Sequence, residues 1–257
     1  MNEDALAPPM RDALAELLLT LADDEFVLGF WDSEWTGIAP MLEEDVAMSS
    51  ISQDEIGHAR AWYELLAGLT EDDADRLAFG REVGEYRHAA LMNHARTDWA
   101  FTVARRFLYE QADAIRLEAL ARSSFAPVAE LAAKMRREET YHLMHFDVWL
   151  RRLADAGGDP RERLLAALQR LWSDAQAIFA PLGGEAVLLA EAVLPEPLQA
   201  LRDRWRARVQ DGLAAVGLPT LDDGPSAEDG RTRRTDDFAW LHGQFTMVAR
   251  SDQGATW

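Results

Sequence analysis

An all-α fold is predicted for this chain: a four-helix bundle followed by additional C-terminal helices. Three observations predict it. Apolar residues recur three and four positions apart along four long segments. No segment alternates apolar and polar residues strongly enough to build a sheet. The long segments also fall into two pairs, each broken by a short stretch of the kind that turns one helix back onto the next.

The first pair runs from Leu14 to Leu28 and from Met48 to Leu66, around the break Thr36-Gly37-Ile38-Ala39-Pro40. The second runs from Val103 to Leu120 and from Val128 to Leu153, around Ser123-Ser124-Phe125-Ala126-Pro127. A long connection from Leu69 to Trp99 opens on the acidic run Glu71-Asp72-Asp73 and is expected to be partly helical. Beyond Gly157-Gly158-Asp159-Pro160, helices are expected over Arg161–Phe179 and Glu196–Val216. The stretch Pro219–Arg234, rich in Gly, Asp, Ser and Arg, reads as an exposed loop, and a last helix is expected from Asp236 to Arg250. Trp172, Trp205, Trp240 and Trp257 give this region aromatic surface to bury, against the bundle or against a partner.

Two tetrapeptides carry the chemistry. Glu55-Ile56-Gly57-His58 and Glu139-Thr140-Tyr141-His142 are both Glu-x-x-His, and each has a glutamate upstream: Glu25 thirty residues before Glu55, Glu110 twenty-nine before Glu139. The two sets repeat at a step of 84 or 85 residues. One glutamate from each of two helices plus a Glu-x-x-His from each of two others is the ligand set of ferritin-like dinuclear bundles. The whole chain, 1–257, is therefore read as one ferritin-like domain. Its bundle core spans about 10–155 and its C-terminal helical extension about 160–257.

Spacing places these acids at one height. Glu25 lies eleven residues before Thr36, and Glu55 twelve after Glu43; Glu110 lies twelve before Arg122, and Glu139 eleven after Val128. Two antiparallel helices with equal arms bring their glutamates level. Each acid also sits in an apolar row: Leu14, Leu18, Leu21, Glu25, Leu28; then Met48, Ile51, Glu55, His58, Trp62, Leu65. The later rows are Val103, Phe107, Glu110, Ala114, Leu117 and Leu131, Met135, Glu139, His142, Phe146, Trp149, Leu153. Residues three apart on a helix point the same way, as joint ligation requires. Four unpartnered buried carboxylates cost several kcal/mol each. Two divalent cations would neutralise them, with two imidazoles completing the donor set. Oxygen and nitrogen donors without thiolate suit iron, with manganese possible. Two irons with open positions can activate dioxygen, and Glu55 and Glu139 are the expected bridges.

Other residues carry weaker signals. Glu85-Tyr86-Arg87-His88 is a third Glu-x-x-His, but it lies in the connection without an equal-armed hairpin and is expected to be a surface or loop feature. Asp24, Asp54 and Glu138 flank the ligands about 100° away and should support them from behind or face solvent. His145 is expected to be a core or supporting residue, His94 and His242 to be ordinary hydrogen-bonded or surface residues, and Tyr141 and Trp62 to pack. No phosphate loop or nucleophile elbow occurs.

The formal charge of −19 argues against nucleic acid and disfavours unaided capture of a coenzyme A ester. Absence of cysteine excludes disulfides and thiolate metal sites and fits a cytoplasmic protein. No signal peptide and no membrane span are expected.

The sequence resembles one family in particular. The segment Leu42–Arg60 (LEEDVAMSSISQDEIGHAR) looks like the second helix of the C-type (PaaC) proteins of phenylacetyl-CoA ring 1,2-epoxidases. Phe101–Phe107 (FTVARRF), Arg136–His142 (RREETYH), Leu77-Ala78-Phe79 with Arg81, and Arg250 seven residues before Trp257 carry the same likeness. The resemblance implies a component of a bacterial multicomponent monooxygenase of phenylacetate catabolism, which adds one oxygen atom of dioxygen across the substrate's aromatic ring. It implies three partners: a catalytic A-like protein, a small accessory protein, and a separate reductase that delivers electrons from NADPH through FAD and iron-sulfur. In that family the C-type protein is generally regarded as structural, with ligands lost. This chain departs by matching Glu25, Glu55, His58, Glu110, Glu139 and His142 to the catalytic pattern. It departs also at Gln244, where Glu is common, and at Gln253, where Pro is common. The leading expectation is a C-type component of the epoxidase holding its own dinuclear iron site. The alternatives are a non-catalytic structural partner and a stand-alone ferritin-like di-iron oxidase.

Overall fold

The structure is a computed structural model that describes residues 6–222 and 230–251. Gln253, Trp257 and the middle of the Pro219–Arg234 stretch lie outside the described residues. The expected all-α fold is found: nine α-helices and no strand occur among the described residues.

The long helices are α1 (Pro8–Ser33), α2 (Leu42–Thr70), α4 (Trp99–Leu120) and α5 (Ala126–Ala156). Proline opens α1 and α5, where its missing N–H would have been unpaired anyway. Glu43, Glu44 and Asp45 place negative charge on the first turn of α2, and the Asp98 carboxylate accepts the Phe101 N–H at 2.9 Å to cap α4. The connection forms α3 (Ala74–Phe79) and two 3₁₀ turns, Val83–Glu85 and Ala90–Asn93, as its partly helical reading anticipated. The Gly157–Pro160 break is a corner rather than a loop. Gly157 alone, at φ +66°, separates α5 from α6 (Gly158–Ala175). A short α7 (Glu185–Ala190), not anticipated, precedes α8 (Leu198–Ala215), and α9 (Asp236–Ser251) closes the described chain.

Helices α1 and α4 are buried on nearly every side, not on one stripe. The bundle covers one face; α7 and α9 pack on α1, and α6 and α8 on α4. Indole groups stitch these layers together. Trp205 donates to the Leu108 carbonyl at 3.0 Å and stacks on Trp172, while Trp31 donates to the Met92 carbonyl at 2.8 Å. Trp240 differs: it stacks on Trp31 but stays half exposed.

The exposed-loop reading of Pro219–Arg234 needs correction. Leu221 and Arg231 are buried, and Arg231 pairs with Asp24 in the bundle. Gly29 sets the approach of α1 to α2. A Cβ there would lie 2.9 Å from Ile56 Cγ1 and 3.1 Å from Glu55 Cβ, at the height of the candidate ligands. No helix among the described residues is long and apolar enough to cross a membrane.

Candidate metal centre

The bundle brings all six predicted ligands to one place. Helix α1 carries Glu25, α2 carries Glu55 and His58, α4 carries Glu110, and α5 carries Glu139 and His142. None is more than 5% exposed. Two overlapping groups form. Glu55, Glu110, Glu139 and His142 each offer a ligand atom within 4.8 Å of the others, and so do Glu25, His58 and Glu139. Glu139 belongs to both, the arrangement a bridging carboxylate requires, whereas Glu55, the other expected bridge, belongs to one group only.

The imidazoles are oriented from behind. His58 Nε2 lies 2.8 Å from Glu138 Oε2, and His142 Nε2 lies 3.2 Å from Asp54 Oδ2. These are two of the three flanking acids, acting as supports in the way expected of them. The opposite nitrogens face inward: both Nδ1 atoms lie 3.1 Å from Glu139 Oε1. Neither makes an aligned hydrogen bond, and neither do Glu25 Oε2, Glu55 Oε2 or the oxygens of Glu110 and Glu139. Buried polar atoms are normally satisfied. A convergent set of inward-facing oxygens and imidazole nitrogens left without one is a donor set that fits a pair of divalent cations.

Protonation compensates part of this charge when metal is absent. Burial and the neighbouring Glu55 push the Glu25 carboxyl well above its usual range. Burial pushes Glu110 up as well, outweighing the adjacent Arg106. Burial opposes charge on His58 and His142, yet the close approach of the Glu139 carboxylate and its attraction prevail and raise them to about 9 and about 11. Burial and Glu55 likewise oppose ionisation of Glu139, but the two imidazoliums bring it down to about 2.

Sequence reasoning missed Arg106, one turn before Glu110 on α4. It is fully buried, and its Nη2 lies 2.6 Å from Glu55 Oε1 and ion-pairs Glu110. Its Nη1 lies 3.4 Å from Asp32 Oδ2, and Arg105 reaches the other oxygen of Asp32. The view that only bound cations offset the four acids is therefore incomplete, because the protein supplies one of its own. The signal was present as two consecutive arginines inside the apolar run FTVARRFLY.

Other readings divide. His94 pairs with Asp174, His242 bonds the Arg81 carbonyl, and Trp62 is wholly buried, all within expectation, whereas His145 is half-buried and pairs with Glu44, neither in the core nor supporting a ligand. In the third Glu-x-x-His, Glu85 is exposed in a capping turn, but His88 is buried against Asn93, so that copy is only half a surface feature. Asp24 neither supports a ligand nor meets solvent; it is buried among Arg116, Arg231 and the Ala89 N–H. Tyr141 does not pack inside. It is 73% exposed and borders a groove between α2 and α5.

That groove approaches the centre from solvent. A cavity of about 350 Å³ is bordered by Ile51, Asp54, Glu138, Tyr141, His142 and His145, and one of about 160 Å³ by Asp54, Gly57, His58, Met135 and Glu138. Leu42, Val46, Met144 and Val148 expose further apolar side chains on the same two helices.

Comparison with known proteins places the chain among proteins of phenylacetic acid catabolism. A family model described as "Phenylacetic acid catabolic protein" matches residues 1–257. The chain is 30% identical over 209 residues to the C component of the 1,2-phenylacetyl-CoA epoxidase of Escherichia coli (strain K12), covering 80% of this chain and 84% of that protein. It is 26% identical over 189 residues to the A component of the same epoxidase, covering 70% of this chain and 60% of that protein.

Proposed function

Since this chain belongs to the phenylacetic acid catabolic protein family, we propose that it is a C-type component of a di-iron monooxygenase that epoxidises the aromatic ring of phenylacetyl-CoA. In this reading it is cytoplasmic, its residues form one domain, and it assembles with a catalytic A-like protein, a small accessory protein and a reductase carrying FAD and iron-sulfur. The similarity to both the C and the A components of the epoxidase supports the reading. The net charge of −19 disfavours unaided capture of the coenzyme A ester by this chain, and in this reading the partner binds it.

One observation carries the claim of an intact centre: two imidazole Nδ1 atoms and at least one oxygen of each of four carboxylates converge in the core without an aligned hydrogen bond, while Asp54 and Glu138 hold the imidazoles from outside. Glu25, His58 and Glu139 would hold one metal ion, and Glu55, Glu110, Glu139 and His142 the other. Two iron ions bound there supply reductive activation of dioxygen. The chain's own residues fix the imidazole tautomers, give up their protons to solvent on loading, and exclude bulk water through Met48, Trp62 and Phe146, all 0% exposed. Anaerobic iron loading followed by elemental analysis tests this. The wild type is expected to retain iron and the Glu55→Ala, Glu139→Ala double variant to lose it; equal content in both would sink the assignment.

A second reading is favoured by Arg106, whose internal charge lets the cluster persist without metal. The chain would then be a structural partner, docking through the apolar residues beside the α2–α5 groove. In a reconstituted complex, turnover that survives loss of both His58 and His142 selects this reading; turnover abolished with them selects the first.

A further inference from the structure

We propose that Arg106 makes the two halves of the centre unequal, so that the Glu25/His58/Glu139 half takes a divalent ion first and the Glu55/Glu110 half takes one only when the guanidinium yields those oxygens. The inference rests on the metal-centre reading and concerns its order and stoichiometry of loading.

Geometry gives the asymmetry. Both ligands that Arg106 pairs with fall on one side: Nη2 meets Glu55 Oε1 at 2.6 Å and Glu110 Oε1, while Nη1 lies 3.4 Å from Asp32, outside both groups. Glu55 and Glu110 belong to the four-residue group and not to the group of Glu25, His58 and Glu139. The guanidinium has no exposed surface, and the Phe146 ring lies 5.1 Å from its Cζ. It therefore cannot swing into water while the helices hold their places. Nor can it leave by losing a proton, as an imidazole can, because guanidinium stays charged at any ordinary pH.

A dication entering beside it meets a fixed positive charge and finds two oxygens already engaged. Repulsion between charges a few ångström apart, even when moderated by the protein, weakens the second site on the order of 100-fold or more. In the first half Glu25, His58 and Glu139 make no ion pair with Arg106, and although Glu139 feels its charge the handicap there is smaller.

The test is titration of the metal-free full chain with Mn²⁺, followed by equilibrium dialysis with elemental analysis and by electron paramagnetic resonance. Wild type is expected to bind one equivalent tightly, with an isolated-ion signal, and a second about 100-fold more weakly. Arg106→Met keeps the bulk but removes the charge, and is expected to bind two equivalents within about ten-fold of each other with a spin-coupled signal. Arg106→Lys should keep the inequality. Glu25→Gln should abolish the tight equivalent, and Glu110→Gln should spare it.

Two equal equivalents in wild type would overturn the inference and leave the metal centre standing. So would a single equivalent in a folded Arg106→Met, or loss of the tight equivalent in Glu110→Gln but not in Glu25→Gln. No Mn²⁺ bound by wild type or any variant would overturn the metal centre itself. Should Arg106→Met fail to fold, the wild-type stoichiometry and the Glu25 and Glu110 variants decide the question.

Discussion

Asp24 and Glu25 are neighbours on α1, 0% and 2% exposed, and their surroundings differ completely. Asp24 has both oxygens filled. Arg116 donates at 2.7 Å, Arg231 at 3.0 and 3.1 Å, and the Ala89 N–H at 2.7 Å. Those donors come from α4, from the chain before α9 and from the connection, so one carboxylate ties three parts of the chain to α1. Glu25 has no arginine against it; its charge is opposed by burial and by Glu55, and its Oε2 has no partner. A buried acid surrounded by donors holds the fold together. A buried acid facing other acids costs stability and is explained by a ligand.

That contrast can be broken at several points, with effects that decrease in size. Asp24→Ala removes the carboxylate shared by two buried guanidinium groups, leaving Arg116 to Asp113 and Arg231 to carbonyl acceptors, and is expected to destabilise the protein by about 3 kcal/mol, as read by urea denaturation. Glu25→Gln is expected to move metal-free stability by less than about 1 kcal/mol, in either direction, because it removes a carboxyl that burial already disfavours. If Glu25→Gln unfolds the protein as severely as Asp24→Ala, the distinction between structural and ligand acids fails. Asp54→Asn and Glu138→Gln loosen only the supports of the imidazoles, and each is expected to weaken metal binding by about 10–100-fold in a competition titration.

The gentlest perturbation is pH. His58 and His142 are raised to about 9 and about 11 in the metal-free fold, above the ordinary histidine value of 6.5. Their stabilising contribution is therefore complete below pH 6.5 and is lost as pH rises through about 9 and then about 11. Metal must displace the same protons, so apparent Mn²⁺ affinity should climb by up to about ten-fold per pH unit for each proton released. Calorimetry in buffers of different ionisation enthalpy would count those protons. An affinity independent of pH between 6 and 9 would contradict the protonated imidazoles.

Much of the candidate centre was legible without coordinates. Glu-x-x-His fixes two side chains on one helical face, equal arms bring glutamates of a hairpin level, and the apolar rows around Glu25, Glu55, Glu110 and Glu139 turn them inward. These are local consequences of a 3.6-residue period. Arg106 was not legible in the same way. An arginine in an apolar run can snorkel to solvent, pair with any acid nearby, or lie among the ligands, and only its neighbours decide. His88 and Arg231 teach the same lesson, since both come from segments read as surface and both end in the core.

The four long helices, their pairing into hairpins and the inward-facing positions of the six donors were determined by the order of residues along the chain, because each depends on short-range periodicity or on spacing within one hairpin; the short α7 was not. Which acids are paired and which are left open was decided by the tertiary structure. Asp24 meets Arg231, 207 residues away, and Glu55 meets Arg106, 51 residues away. A carboxylate's character is set by the charges within a few ångström of it, and only folding brings those charges near.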